Sequence, residues 1–129
     1  MVMLRPADRD ALKRTGLPFK VSFANGFNMV QIAEYPTGPG FVPNKVTILL
    51  RLPPGFPDVA PDMFWVDPPV RLASGAAIAG THYMETHLDR QWQRWSRHVI
   101  ANWRPGIDNL STYLAYVRRC FDQETRGRR

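Results

Sequence analysis

A chain of 129 residues, 44% apolar and 12% aromatic, has enough core-forming side chains for one domain, which excludes a disordered protein. The formal charge of +6 is inflated by Arg126, Arg128 and Arg129 at the end of the chain; with no recognition motif beside it, the charge points to a basic tail before a nucleic-acid surface. A single cysteine, Cys120, excludes an internal disulfide and a thiolate metal cage within one chain, and no run of about 20 apolar residues is present to span a membrane. Charges at Arg5, Asp8, Arg9 and Asp10 stand where a signal peptide is apolar, so the expected location is the cytoplasm.

In chain order, Pro6 followed by residues 7–14 and then by Gly16 and Pro18 predicts a short N-terminal helix with a sharp stop. Phe19, Val21 and Phe23 alternate with polar residues, the period of a half-buried strand, and Asn25-Gly26 is a hairpin signal leading into a second strand over residues 29–35. The Gly/Pro-rich segment 36–43 predicts a loop, residues 45–52 a third strand and residues 62–66 a fourth. Between the last two, the four prolines of residues 53–61 forbid both helix and central strand and leave a rigid extended connection. Residues 67–102 have no clear period and predict a long irregular loop. Leu110, Tyr113, Leu114, Val117 and Phe121 then fall at helical spacing behind Asp108, the expected N-cap. The expectation is one α+β domain over residues 1–122, with residues 123–129 a flexible basic tail.

Two motifs carry a resemblance. Leu52-Pro53-Pro54-Gly55-Phe56-Pro57-Asp58-Val59-Ala60-Pro61 is similar to the proline signature between the third and fourth strands of ubiquitin-conjugating enzymes. Trp103-Arg104-Pro105 is similar to the tryptophan-x-proline that introduces their helix after the active site. The resemblance implies the conjugating-enzyme fold: an N-terminal helix, a four-stranded antiparallel meander, a long active-site-like loop and a C-terminal helix. It also exposes a departure. The catalytic cysteine of those enzymes lies eight residues before the tryptophan, where this chain has Trp95, and their histidine-proline-asparagine tripeptide is missing. Cys120, in the last helix, is no substitute.

The tract Gln91-Trp92-Gln93-Arg94-Trp95-Ser96-Arg97-His98, followed by Trp103-Arg104-Pro105, resembles the prokaryotic conjugating-enzyme-like family E. Its members lack the usual cysteine, keep a histidine here, which is His98 in this chain, and are encoded beside an activating enzyme, a ubiquitin-like protein and a metal-dependent deubiquitinase-like peptidase. The resemblance implies those partners and no cofactor.

An acyl carrier without cysteine needs another nucleophile, and Ser96 with His98 as its base is the most economical choice. Arg94, Arg97 or backbone amides would steady the oxyanion, while Trp95 and Trp103 line the loop. Residues two apart share a side only in an extended segment, so the pair fails on a helix. His98 as a structural histidine bonded to the loop backbone is the alternative. His82, His87, His98 and Glu85 match no recognised metal spacing, and Trp92 and Trp95 among Arg90, Arg94, Arg97 and Arg104 read as core tryptophans flanked by surface arginines. The family implies that the N-terminal helix docks the activating enzyme, with Arg9, Lys13 and Arg14 supplying the charge. A carrier, a positioning factor, a non-catalytic binding module and a nucleic-acid binder remain open from sequence.

Overall fold

The computed structural model describes residues 4–126. Helix α1 (Pro6–Arg14) starts with proline in its first turn, and Asp8 reaches back to the Arg5 amide and to its guanidinium, at 2.9 Å, in a capping box. Asp8, Ala11 and Leu12 are the buried side of the helix.

Strands β1 (Phe19–Ala24) and β2 (Phe27–Pro36) pair through the Asn25-Gly26 turn, both of whose residues have positive φ as a two-residue hairpin requires. Next come β3 (Phe41–Val42), β4 (Lys45–Leu52), β5 (Phe64–Asp67), β6 (Arg71–Leu72), β7 (Met84–His87) and β8 (Arg90–Trp95). The main sheet has the order β1-β2-β4-β5-β8-β7 with every neighbouring pair antiparallel, and β3 pairs with β6 in a two-stranded sheet of its own. A single 3-10 turn (Ile100–Asn102) precedes α2 (Leu110–Arg126).

The α+β class and the two helices agree with the sequence reading, but the four-stranded meander does not: the sheet has six strands. Residues 67–102 contain a second hairpin rather than an irregular loop. Its turn residues, Leu88 and Asp89, are both left-handed (φ 57° and 58°), which gives the twist that lets β8 lie along β5.

One face of the sheet carries α2. Trp95, with no exposed surface, lies 4.5 Å from the Phe121 ring and stacks on Phe64 at 5.4 Å between centroids. Such contacts add to the area that the rings bury. The opposite face buries Met29, Leu49, Trp65 and Trp92. The N-cap of α2 is Asn109, not Asp108: Asn109 Oδ1 accepts from the Thr112 amide at 3.1 Å while Thr112 Oγ1 accepts from the Asn109 amide at 2.9 Å. The helix runs past residue 122, where the sequence placed the start of a flexible tail. Glu124 pairs with Arg97 at 3.2 Å, and Thr125 lies so near Gly40 that a Cβ added there would meet its Cγ2 at 2.9 Å. Gly127, Arg128 and Arg129 lie outside the described residues.

Candidate functional site

The two segments singled out by sequence meet in space. Trp103 donates its indole N–H to the Pro57 carbonyl at 2.8 Å, and its ring lies against Phe56 and the edge of Tyr113. A tryptophan with one polar atom is suited to such a place, its body on the core and its N–H on an orphan carbonyl. Behind it, Asp108 accepts from the Arg104 amide at 2.7 Å and from the Arg104 guanidinium at 3.2 Å. Those bonds hold the Asp108 carboxyl below the ordinary carboxylate range and fix the turn over residues 104–108. A groove of about 490 Å³ runs between this turn and α2, lined among others by Val99, Trp103, Asp108, Thr112 and Tyr116.

At the other end of the same loop, His98 Nδ1 lies 2.6 Å from Asp62 Oδ1, with 57% and 54% of the two side chains exposed. A proton on Nδ1 is satisfied by the carboxylate and leaves the Nε2 lone pair free. The residue after Asp62 is held in a strained backbone conformation: Met63 has φ 61°, donates its amide to Arg97 O at 3.0 Å and accepts from the Tyr113 hydroxyl at 2.9 Å. Burial pushes the Tyr113 phenol far above its usual range, so it stays a donor. Tyr113 on α2 and Arg97 on the loop thus set the position of Asp62. Sequence reading missed Asp62, which is 36 residues from His98 and adjacent only in the fold.

Ser96 is not brought to His98 in the same way. Its amide donates to Gly80 O at 2.9 Å, and the Arg97 amide donates to Trp95 O at 2.9 Å, which closes a three-residue turn with Ser96 at its centre. The extended segment that a Ser96 and His98 pair requires is therefore interrupted, and among the described residues no hydrogen bond joins the hydroxyl to the imidazole. Arg97 is committed to Ala79 O, Ser96 O and Glu124, with its guanidinium over the Trp95 ring. Arg94 is on a strand, bonded to Glu85 at 2.6 Å and placed over Tyr83. Trp95 is a core residue of β8 and not part of a loop. Of the expected loop residues, Trp103 and His98 stand at the surface of the site; Arg94 and Trp95 are built into the sheet.

Glu85 accepts from Trp65 Nε1 at 2.9 Å, His87 Nε2 at 3.2 Å and Arg94. Burial alone pushes its carboxyl up, but the three hydrogen bonds outweigh that and hold it below the usual range. Glu85 and His87 are thereby engaged with the sheet, and His82 is exposed elsewhere on the loop. No cluster of metal-ligating side chains occurs among the described residues. Burial raises the Cys120 thiol, which faces the core from α2. Arg9, Lys13 and Arg14 are exposed on α1.

With this geometry in place the chain can be compared with known proteins. A family model described as Prokaryotic E2 family E matches residues 4–124. The chain belongs to that family. No curated protein and no solved structure gives a match. Membership in Prokaryotic E2 family E makes this a prokaryotic E2-like protein with a conjugating-enzyme-like role and partners of the ubiquitin-like pathway kind. The E2-like role falls to a chain whose one cysteine is buried in α2. No helix among the described residues is long and apolar enough to cross a membrane.

Proposed function

We propose that the protein serves a bacterial ubiquitin-like modification pathway by receiving the activated modifier beside Trp103 and supplying His98, oriented by Asp62, as the base for acyl transfer. The observation that carries this reading is the 2.6 Å contact between His98 and Asp62 next to the joined motif segments. An attacking amine or hydroxyl gives its proton to Nε2 as its bond to the modifier's carbonyl carbon forms. The imidazolium, stabilised by Asp62, returns the proton to the leaving group. The partners are a ubiquitin-like protein and an activating-enzyme-like protein that docks on the Arg9, Lys13 and Arg14 face of α1, with a metal-dependent deubiquitinase-like peptidase acting in the same pathway. The protein works in the cytoplasm.

The test combines the protein with its activating enzyme, the processed modifier and ATP, followed by intact mass and by the rate of transfer to an amine. His98→Ala is expected to slow transfer by roughly 100-fold or more, the usual scale of a lost general base, and Asp62→Asn by less. Unchanged transfer in His98→Ala, with the partners demonstrably active, would remove the base role. A thiol-resistant adduct lost in Ser96→Ala would make Ser96 the acyl acceptor and the protein an oxyester carrier. Binding of the modifier with neither adduct nor catalysed transfer would make it a positioning factor.

A further inference from the structure

The chain has three lysines against fourteen arginines, and the fold separates them. At the end that carries Trp103 and His98, the cations lining the cavities are arginines: Arg104 and Arg119 in the groove beside Trp103, Arg51 in a cleft of about 250 Å³ with Asp62, and Arg5 in one of about 330 Å³ under the proline segment. Lys20 and Lys45 line cavities at the other end of the sheet, with Arg90. Lys45 opens β4, and the strand from there to Leu52, where the proline segment begins, is about 23 Å long. Lys20 is on β1, three strand spacings or about 14 Å from β5. Lys13 is in the last turn of α1, about 12 Å along the axis from Arg5, which faces the proline segment.

Most of the arginines at the site end are accounted for by their contacts. Arg104 places two nitrogens on Asp108, Arg5 two on Asp8, and Arg51 lies over the Phe27 and Trp65 rings. Arg119 is not: it is exposed on α2, its guanidinium is 6.0 Å from the Tyr116 centroid, the outer limit of cation–π attraction, and it makes no ion pair or hydrogen bond among the described residues. Charge and helix propensity there would be served equally by lysine. The two differ toward an activated carbonyl. With an ordinary pKa of about 10.4, roughly one lysine amine in 2,500 is neutral and nucleophilic at pH 7, whereas a guanidinium stays protonated. Tethered within reach, such an amine has an effective concentration on the order of mM. Its nitrogen attacks the modifier's C-terminal carbonyl carbon, the C–N bond forms as the bond to the activating group breaks, and the proton released passes through His98 to the departing group. The product is a stable amide that ties up one modifier and one copy of the protein.

We infer that the cations at this end are arginines to keep the site clear of amines, so that the acyl group passes to an acceptor from outside, and that Arg119 is arginine for that reason. The inference rests on acyl transfer beside Trp103 and His98, and its test separates the two. The full chain is incubated with its activating enzyme, the processed modifier, ATP and free lysine as an outside acceptor. Adducts that survive thiol and hydroxylamine are quantified by intact mass and located by peptide mapping. Arg119→Lys is expected to acquire such an adduct at residue 119, forming at least tenfold faster than any at Lys13, Lys20 or Lys45 in the wild type, with an unchanged unfolding midpoint. Arg71→Lys, exposed on β6 at the other end of the sheet, is expected to acquire none at residue 71. Modification of free lysine without an adduct at residue 119 would overturn the inference and leave the acyl-transfer reading standing. Equal rates at residues 71 and 119, or wild-type self-modification at its own lysines as fast as at residue 119, would overturn it as well. Transfer to neither acceptor, with the activating enzyme charged, would remove both the inference and the reading beneath it.

Discussion

The two faces of the six-stranded sheet each bury tryptophan completely, by different means. On the face toward α2, Trp95 is covered chiefly by the Phe121 and Phe64 rings, with the Arg97 guanidinium, paired with Glu124, over its ring as well. On the opposite face no helix packs among the described residues, yet Trp65 and Trp92 are just as buried, beneath Arg51 and Arg90 and beside the Glu85–Arg94 and Asp67–Arg90 pairs. Long cationic side chains lay their stems and guanidinium planes on the rings while their charged ends stay in contact with partners or water. A sheet face can therefore be closed without a second layer, but that roof depends on charge state and ionic strength more than the helix-covered face does.

That contrast can be broken in four places. Trp95→Ala is expected to cost the most, about 3–5 kcal/mol by the urea midpoint, with little dependence on salt. Arg94→Ala should cost about 1–2 kcal/mol, because Glu85 loses its cationic partner, and the loss should shrink in high salt. For Glu85, the folded carboxyl titrates below its unfolded value of 4.5, so its stabilisation is complete above that pH and is lost as the pH falls through the lowered folded value. Glu85→Gln should therefore cost about 1 kcal/mol near pH 7 and converge with the wild type in acid, as urea titrations at several pH values would reveal. Asp62→Asn, at an exposed pair, should move stability by less than about 0.5 kcal/mol in thermal unfolding, although the same variant is expected to slow transfer.

Helix α2 and the first half of β1 show their period because solvent marks one face of each; β2 and β4, buried on both faces over residues 29–32 and 48–50, are legible through the Asn25-Gly26 turn and their β-branched and aliphatic content instead. Strand β8 hides its period: Trp92 is buried on the outer face, while Trp95 and Gln93 are buried on the inner one, so no alternation survives. Gln93 is tolerated there because it bonds both the amide and the carbonyl of Val70 and accepts from Trp95 Nε1. The turn before it, Leu88-Asp89, lacks the asparagine and glycine that usually announce two left-handed residues. Asp108 and Asn109 are equally good capping types, and only the side-chain partners decide between them. In the candidate site, the family resemblance drew attention to His98, but the local pattern pointed to Ser96, two residues away. The partner that the fold provides is Asp62, brought close by the strained Met63 backbone, and no local spacing encodes that.

The indole bond from Trp103 to the Pro57 carbonyl joins segments 46 residues apart in the chain. For anyone who grafts loops between relatives to change what they recognise, the proline segment and the segment before α2 are one transplantable part. Exchanging either alone strands an indole donor or a carbonyl acceptor beneath the other, and the cost falls on the loop that was left in place.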